Sequence, residues 1–487
     1  MGHEACDCVF IPDVKAREEI DVLEANLKGT PLVSRAERRE RGKALRDQCP
    51  RTSQAEYKPR ATTDDPIKLI TDSDEDRLPS LVPLRYERMS ESAFKFFRGT
   101  AAIQAHDLAH SPASEIIVQA CGDCHLMNFG GFATPERTLV FDINDFDETF
   151  PAPWEWDVKR LGASIVLASR DRGFGKQNAK DSVRAAMASY REHMSAFADR
   201  TQLARWYASL HGEELFDYFR KDADFIERMK RKEKAAQDST SEAALPKLTV
   251  KIRGRLRIKD SPPLISHFQE GIPGFKKLSD QVRADYRKSL QPDRQQLFDR
   301  YTIQDEALKV VGVGSVGTRC FISLYLADAD DPLFLQTKEA RRSVLETAKG
   351  KSRYAHQGAR IVEGQRLMQA ASDIFLGWCR SPSHDYYVRQ LRDMKVSAEP
   401  ETFKPRTLEL YGEMCGWALA RAHAKAGDAA MIAGYLGSKD TFDEAMVKYS
   451  MAYADQAEKD FDLFKAAIRS GRLSMKPAKD SGLDFIG

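Results

Sequence analysis

Apolar positions repeat with a helical period in the first third of the chain. Four of them fall on one face of a single predicted helix over about 91–109, namely Phe94, Phe97, Ala101 and Leu108. The preceding residues 1–80 are highly charged and interrupted by turn-forming residues, and their best helical pattern lies at 22–46. We therefore expect an N-terminal arm that is partly helical and loosely packed.

The pattern then changes to short β-branched runs, which are typical of strands. Strands are predicted at 115–120, 138–148, 241–263, 307–328 (on both sides of its glycines) and 332–340, and again after a helix over about 357–371. Beyond Pro405 the chain is predicted to be helical almost to its end, with an apolar stripe formed by Leu408, Tyr411, Cys415, Ala418 and Ala422.

These patterns predict an α+β protein built from four segments. The segments are a charged N-terminal arm at 1–80, a helical lobe at 81–300, a mostly β lobe at 301–398 and C-terminal helices at 399–487 that complete the helical lobe.

Charge and composition narrow the classes of function. The 487 residues include 75 Lys and Arg against 73 Asp and Glu, a net charge of +2, which argues against a dedicated nucleic-acid-binding protein. No uncharged apolar run approaches the roughly 20 residues that cross a bilayer, and the N-terminus shows no apolar signal segment. Eight cysteines are too few for a disulfide framework in so long a chain. We expect a cytoplasmic protein that binds neither nucleic acid nor membrane.

The segment CGDCHLMN (121–128) and the strand that follows it contain three oxygen-bearing side chains suited to phosphoryl transfer. This reaction needs a carboxylate that orients the attacking hydroxyl, and oxygen ligands for the Mg²⁺ ions that bridge the phosphates. Asp123, Asn128 and Asp142 supply these groups from one loop and two strands. Gly122 allows the backbone to turn tightly just before Asp123.

The same segment permits simpler interpretations. An acidic turn can cap a strand and bind only water. The Cys121-x-x-Cys124 spacing also matches a redox pair or half of a zinc site, but no second CxxC or paired His lies at ligand spacing. We therefore interpret the two cysteines as incidental to the loop.

A glycine-rich segment at 312–317 forms a second candidate site. Its spacing is GxGxxG, and its residues include Gly312, Gly314, Ser315 and Gly317. The residues that follow favour a strand, and a strand–glycine–strand hairpin is the form of a kinase loop that covers nucleotide phosphates. A dinucleotide-binding loop would instead need a helix after the last glycine, and an ordinary glycine hairpin remains the simplest alternative.

Together the two segments resemble the aminoglycoside-phosphotransferase and choline-kinase branch of the protein-kinase-like superfamily. The resemblance rests on the motif GDxHxxN, which is followed by a strand ending in Asp. It implies that Asp123 is the catalytic base, Asn128 a metal ligand and Asp142 the main metal-binding aspartate. Asp145 and Asp147 are rivals of Asp142, but the spacing from Asn128 favours Asp142.

The resemblance also implies roles for supporting residues. Lys338 lies in the strand after the glycine hairpin, where a kinase-like fold places the lysine that pairs with phosphates. Its usual partner is a Glu on the following helix, for which Glu363 is the first choice and Glu346 the second. Asp157 resembles the aspartate that holds the catalytic loop. Cys121 departs from the pattern, because relatives usually have His at that position.

The order of the motifs is unusual, because Asp123 precedes Lys338 whereas kinase-like folds place the lysine first. We therefore predict a two-lobed kinase-like fold with permuted lobe order. Permutation is physically permissible when the joined ends lie close together at the surface. A helix at 407–424 that packs beside 91–109 would bring together the two segments that such a permutation separates in the sequence.

The whole pattern further resembles a bacterial family known as domain of unknown function 2252, over about residues 80 to 470. The hallmarks present here are FFRGTAA, VQACGDCHLMNFGGF, FDINDFDET, PWEWDVKRL, VGVGSVGTRC and EGQRLMQAASDIFLGW. The family has no assigned activity, so this resemblance implies the kinase-like fold more than a function.

From these arguments we expect an ATP-binding, Mg²⁺-dependent phosphotransferase that acts on a hydroxyl of an unknown small-molecule acceptor. The alternatives are a nucleotidyl (AMP) transferase, in which the nucleotide is reversed, and a nucleotide-binding pseudokinase without catalysis. Arg98 would pair with a phosphate or with one of the acids at 142–147. The sequence identifies no protein partner.

Overall fold

The computed structural model describes residues 32–61, 64–211, 219, 223–237, 240–267, 275–391 and 395–475. Within them the protein has the mixed α+β content that the sequence predicts. Part of the helix predicted at 22–46 lies outside the described residues. The described part contains a helix at Arg35–Ala44, where the Ser34 side chain caps the helix by accepting a hydrogen bond from the Glu37 N–H.

The strands of the described residues are short except around the glycine-rich segment. They are β1 (Ile117–Ala120), β2 (Phe129–Ala133), β3 (Leu139–Ile143), β4 (Phe150–Pro153), β5 (Leu210–His211), β6 (Thr249–Ile252), β7 (Arg255–Ile258), β8 (Ile265–Ser266), β9 (Thr302–Lys309), β10 (Cys320–Asp328), β11 (Asp331–Glu339), β12 (Gly377–Arg380), β13 (Asp385–Gln390) and β14 (Val396–Ser397).

The α-helices of the described residues precede, follow and cover these strands. They are α1 (Arg35–Ala44), α2 (Pro66–Asp72), α3 (Val82–Ser90), α4 (Ala93–Arg98), α5 (Ala101–Leu108), α6 (Glu155–Asp171), α7 (Lys176–Asp199), α8 (Gln202–Trp206), α9 (Ala223–Gln237), α10 (Ser241–Leu248), α11 (Phe275–Ser289), α12 (Pro292–Phe298), α13 (Glu346–Lys349), α14 (Gln357–Met368), α15 (Pro405–Ala426), α16 (Ala429–Leu436) and α17 (Thr441–Arg469).

The largest sheet is antiparallel and has the strand order β12-β13-β11-β10-β9-β8. It contains the strands predicted at 307–328 and 332–340 and those after the 357–371 helix. Both of its faces are covered, because Leu335 of β11 packs with Tyr286 of α11 while Phe334, its neighbour, packs with Leu248 of α10. Strand alternation places Lys338 on the same face as Phe334.

A four-stranded sheet, β14-β2-β3-β5, and the pair β1–β4 hold the loops of the first candidate site. The strands predicted at 115–120 and 138–148 are therefore present. In the four-stranded sheet Gly130 of β2 lies opposite Asp142 of β3, and helix α15 packs against β3.

The chain beyond Pro405 is helical, as the sequence predicts, and its helices contribute many buried residues to the largest hydrophobic cluster. All five residues of the predicted stripe in α15 are buried. Two glycines of α15 allow a close approach to α7, since a Cβ on Gly416 would lie only 2.2 Å from the Ala186 carbonyl oxygen and one on Gly412 3.1 Å from that of Ser182. The helix predicted at 407–424 therefore packs chiefly on α7. It is α17 that contacts α4 and so brings the chain end to the 91–109 region.

Two predicted elements differ from the structure. The helix predicted over 91–109 is two helices, α4 and α5, which are separated by Gly99 and Thr100, because the backbone leaves the helical conformation at Thr100. Residues 241–263 were predicted as a strand, but they begin with α10, which Thr240 caps, and continue as the hairpin β6–β7.

None of the helices in the described part of the chain combines the length and the apolar character that a membrane span requires.

Candidate functional site

One cavity of about 420 Å³ brings together most of the site residues predicted from the sequence. Three loops contribute to its wall. They are the Asp123 loop (121–128), the acidic loop between β3 and β4 (144–149) and the glycine loop between β9 and β10 (310–319). The predicted residues that line the cavity, with the two rivals of Asp142, are Asp123, Asn128, Asp145, Asp147, Gly312, Gly314 and Ser315.

The backbone of the Asp123 loop is held by a buried carboxylate from α6. Asp157 accepts hydrogen bonds from the N–H groups of Cys121 (2.6 Å) and Gly122 (2.9 Å) and from the His423 ring (3.1 Å). This is the contact expected of Asp157. Gly122 has a φ of 86°, and a Cβ there would lie 2.2 Å from the Glu148 carbonyl oxygen, so the turn requires glycine.

The carboxylate of Asp123 lies beside a buried arginine. Arg160 donates to Asp123 Oδ1 at 2.8 Å through Nε, and its other nitrogens bond Gln104 Oε1 at 3.0 Å and the Phe97 carbonyl at 2.7 Å. Burial raises the pKa of Asp123, and the charge of Arg160 opposes that rise. Arg160 thus fixes the carboxylate and favours its ionised form.

Two further residues of the same loop surround Asp123. The side-chain amide of Asn128 donates to the Asp123 carbonyl at 2.7 Å, which leaves the Asn128 Oδ1 atom as an acceptor. The Nε2 atom of His125 lies 3.8 Å from Asp123 Oδ2. Burial, together with the charges of Arg98 and Arg160, lowers the pKa of His125 well below its usual value, so the imidazole is neutral.

Asp142, the first choice for the main metal-binding aspartate, is not among the residues that line the cavity. Its carboxylate pairs with the buried Arg421 of α15 at 2.5 Å and accepts hydrogen bonds from the backbone N–H groups of Ala370 and Ile143, both at 2.8 Å. The physical reason is strand alternation, which directs this side chain of β3 toward α15. The structure places Asp142 in a buried ion pair.

Its two rivals, Asp145 and Asp147, lie beyond the end of β3 and line the cavity. Asp147 accepts a hydrogen bond from Lys338 Nζ at 2.7 Å and one from the Tyr387 hydroxyl at 2.7 Å. Burial alone would raise the pKa of Asp147, but Lys338 lowers it overall. Burial and the neighbouring Asp147 raise the pKa of Asp145.

Lys338 therefore has a different partner from the one expected. The first choice, Glu363, bonds Arg366 within α14 at 3.1 Å and is substantially exposed. Glu346, the second choice, forms no ion pair with Lys338 among the described contacts. Burial would lower the pKa of Lys338, but Asp145 and Asp147 raise it well above the usual value. The lysine is charged and is held by the acidic loop.

The glycine loop is a hairpin turn, as the sequence predicts. After Gly317 the chain continues into β10, so the helix required by a dinucleotide-binding loop is not present in residues 318–328. Gly312 and Gly317 have φ values of 65° and 90°, which side-chain-bearing residues rarely adopt. Ser315 lies 3.4 Å from Asp147, so the loop extends over the acidic residues.

Gly317 itself contacts the N-terminal segment instead of the cavity. The Gly317 carbonyl accepts a hydrogen bond from the Leu78 N–H at 2.7 Å, and Arg77 donates to the Val316 carbonyl at 2.6 Å. Arg88 donates to the carbonyl of Gly312. Residues at the end of the predicted N-terminal arm, Arg77 and Leu78, and just after it, Arg88, thus fix both ends of the glycine loop.

The oxygen-bearing side chains of the cavity determine which metal ion the site could bind. Within the described ranges, no group of three or more His, Cys, Asp or Glu side chains has the arrangement of a metal site. Among the acidic residues that line the cavity, Asp145 and Asp147 come from the acidic loop, and the Asn128 side chain adds an amide oxygen. This hard-oxygen set fits Mg²⁺, which in phosphate sites takes one or two carboxylates and completes its shell with phosphate and water.

The cysteines of the CxxC spacing are placed unfavourably for thiol chemistry. Cys121 and Cys124 are buried. A hydrogen bond with Cys124 lowers the pKa of the Cys121 thiol, but burial and nearby carboxylates outweigh it and raise the pKa to about 11. Burial raises the pKa of Cys124 well above its usual value. Reactive and metal-binding cysteines need the thiolate form. The pair packs in the core beneath the loop.

Several residues of the site were not identified from the sequence. Arg160 was recoverable, because it lies one helical turn after Asp157 and so shares its face of α6. Arg421 and Tyr387 gave no local signal, since each meets its carboxylate from a distant part of the chain. The cavity also contains arginines that no motif indicated, among them Arg341 and Arg342.

The fold and site together define an α+β protein in which a glycine hairpin and a lysine-bearing strand meet an acidic loop. The chain belongs to the family described as uncharacterized proteins conserved in bacteria, domain of unknown function 2252, whose family model matches residues 77–467. No curated protein and no solved structure matches the chain.

Proposed function

We propose that this protein is a Mg²⁺- and ATP-dependent phosphotransferase that acts on a hydroxyl group of a small-molecule acceptor. The observation that carries the proposal is the 2.7 Å ion pair between Lys338 and Asp147, in a cavity that also contains Asp123, Asn128 and the glycine loop. Protein kinases use the same set of groups. A lysine on the third strand of the glycine-loop sheet contacts phosphates, an Asp holds metal, and another Asp accepts the hydroxyl proton.

The geometry supports a specific distribution of roles. Asp123, which Arg160 keeps oriented, accepts the proton of the acceptor hydroxyl. Asp147, Asp145 and Asn128 would hold Mg²⁺, which would supply neutralisation of charge on the phosphates. Lys338 and the N–H groups of the glycine loop bind phosphate oxygens. Asp147 replaces Asp142 in this proposal, because Asp142 is committed to Arg421.

The order of strands supports a kinase-like arrangement with permuted chain order. The glycine hairpin β9–β10 is followed by β11 with Lys338, then by α14 and the strands β12 and β13. The loops that carry Asp123 and Asp147 come earlier in the chain. Contact of α17 with α4 brings the C-terminal helices beside the segment that precedes these loops.

Nucleotide binding is tested first, by thermal unfolding with and without ATP and Mg²⁺. A ligand that binds only the native state, present at about 100 times its Kd, adds roughly 2.7 kcal/mol to the free energy of unfolding. We expect a Mg²⁺-dependent rise of the midpoint in the wild type and in the control Glu363→Gln. The rise should be lost or much reduced in Asp145→Asn, which removes a carboxylate charge with little change of shape.

Catalysis is tested with ATP labelled at the γ- or the α-phosphate and a panel of hydroxyl compounds. Transfer of the γ label supports the proposal. Transfer of the α label identifies a nucleotidyl transferase. Binding of MgATP without transfer of either label to any acceptor, or to water, would indicate a nucleotide-binding protein without catalysis. Absence of any MgATP-dependent rise in the wild type contradicts the proposed function.

A further inference from the structure

The cavity wall contains five arginines, of which two form several contacts within the protein, although the buried Nε atom of Arg85 has no partner. The five are Arg77, Arg85, Arg98, Arg341 and Arg342. Arg77 and Arg85 each lie 3.0 Å from Asp74. They also donate to backbone carbonyls, Arg77 to Val316 at 2.6 Å and Arg85 to Gly99 at 2.7 Å. These two guanidinium groups therefore hold the N-terminal segment and the glycine loop in place.

The other three arginines have unused hydrogen-bonding capacity. Arg98 makes no side-chain hydrogen bond or ion pair with any described residue, and its buried Nε atom has no partner. The buried Nε of Arg341 also lacks a partner, and its guanidinium lies 3.7 Å from Asp76. Arg342 is exposed and forms no ion pair within the described chain.

Two histidines of the same wall also lack a hydrogen bond at Nδ1, although this atom of His106 lies 3.6 Å from Asp107 Oδ1. The Nδ1 atoms of His106 and His125 are buried and have no hydrogen-bond partner, and both residues line the cavity. Buried polar atoms without partners are rare in folded proteins, because each costs about 1–3 kcal/mol of desolvation. Within the described chain, Arg98 and Arg342 have no acceptor for their guanidinium donors, and an anionic ligand in the cavity would supply one.

We propose that Arg98, Arg341 and Arg342 form a subsite for an anionic group, a phosphate or a carboxylate, on the acceptor that receives the phosphoryl group. This inference rests on the proposed function, since it assigns the acceptor's chemical class at the same site. Guanidinium groups suit this role because their planar donors match the geometry of carboxylate and phosphate oxygens.

The position of Arg98 favours the acceptor over ATP as the bearer of the anionic group. Arg160, which donates to Asp123 Oδ1, also donates to the carbonyl of Phe97, the residue before Arg98, and Arg98 and Asp123 both line the cavity. Arg98 therefore lies on the same side of the cavity as the residue proposed to accept the hydroxyl proton. Lys338 and Ser315 instead contact Asp147 and mark the nucleotide-phosphate end. A cavity of about 420 Å³ is also in the size range of small-molecule sites.

Binding of three related probes tests the subsite by thermal unfolding of the full chain at constant ionic strength. The probes are glycerol 3-phosphate, glycerate and glycerol, which share a hydroxyl-bearing skeleton and differ in charge. We expect one or both anions to raise the unfolding midpoint of the wild type while glycerol does not. The anion that binds more tightly distinguishes a phosphate from a carboxylate subsite.

Substitution of single arginines tests which residues bind the anion. Arg98→Gln and Arg342→Gln should weaken anion binding by about tenfold or more, as expected for loss of a charge-assisted hydrogen bond. The exposed Arg353, which contacts Tyr354 outside the cavity, provides the control Arg353→Gln, and this variant should bind the anions like the wild type. Arg342 is exposed, so its substitution tests the subsite even if Arg98→Gln fails to fold.

The outcomes separate this inference from the proposed function. An MgATP-dependent rise that is kept in both arginine variants, together with lost anion binding, supports the anionic acceptor. The inference is overturned if glycerol stabilises as much as the anions do, if neither anion binds, or if the variants bind anions normally. Parallel loss of MgATP and anion binding assigns the arginines to the nucleotide. Failure of the wild type to bind MgATP, by contrast, contradicts the proposed function.

Discussion

Lys338 and Asp147 form an ion pair at 2.7 Å across a separation of 191 residues. Lys338 is almost completely buried, whereas the Asp147 side chain retains 28% of its exposure toward the cavity. The pair therefore connects the lysine-bearing strand of the large sheet to the acidic loop while leaving carboxylate surface for a ligand. This one contact joins the acidic loop to the strand that carries Lys338, although the two segments lie far apart in the sequence.

Replacement of this lysine tests its role in phosphate binding. In Lys338→Met a side chain of similar length keeps the packing against Tyr387 but removes the charge. We expect kcat/KM for phosphoryl transfer to fall by about 100-fold or more, the size of effect seen when one electrostatic donor is removed from an active site. Steady-state kinetics with γ-labelled ATP measure the loss. Glu363→Gln, at the position first chosen as the lysine partner, should retain nearly full activity.

Asp142 is predicted to contribute to stability and not to ligand binding, because its carboxylate is buried against Arg421. Removal of one member of a buried ion pair leaves an uncompensated charge and typically costs about 3–5 kcal/mol. We expect Asp142→Asn to lower the free energy of unfolding by an amount in this range, as measured by urea denaturation. At temperatures where it is folded, the variant should still bind MgATP.

A double-mutant cycle separates the ion pair from other effects of these substitutions. Arg421→Met should destabilise on its own, and the combination Asp142→Asn/Arg421→Met should be more stable than the sum of the single changes predicts. Additive effects, or a complete loss of MgATP binding in folded Asp142→Asn, would return Asp142 to the metal-binding role.

The contrast between Asp142 and Asp147 shows what the sequence could and could not predict. The strands around Gly312 and Lys338 were predictable, since β-branched runs and glycines are local signals. The choice between the aspartates depended on the face of β3 that Asp142 occupies, on the end of β3 before Asp145 and Asp147, and on Arg421, a residue from a helix far along the chain. The division of the predicted 91–109 helix had a local cause, the Gly99–Thr100 break, but the apolar period continues across it. The choice between the aspartates is thus decided by tertiary contacts that no spacing encodes, whereas the helix break is local but hidden by the uninterrupted apolar period.

The carboxylate of Asp157 is predicted to hold the Asp123 loop in its closed turn. It accepts two backbone hydrogen bonds, from Cys121 and Gly122. Asp157→Asn replaces one accepting oxygen by a donor, so one of these N–H groups would lose its partner at a cost of about 1–3 kcal/mol. Amide hydrogen exchange should accelerate at residues 121–123. Unchanged exchange there would show that the loop is held by other contacts.

Arg160 is predicted to set the acidic limb of the pH–rate profile. Phosphoryl transfer needs Asp123 in its ionised form, so the rate falls as pH drops through the pKa of this carboxyl. Burial raises that pKa, and Arg160 counteracts the rise. In Arg160→Gln the opposing charge is absent, the pKa increases further, and the limb moves to higher pH. Arg160→Lys keeps a positive charge and should move the limb less.

The measurement is kcat/KM against pH for the wild type, Arg160→Gln and Arg160→Lys, with the Asp123→Asn variant as a control that has no such limb. A limb at the same pH in all three arginine-site proteins would mean that Asp123 is not the group that titrates.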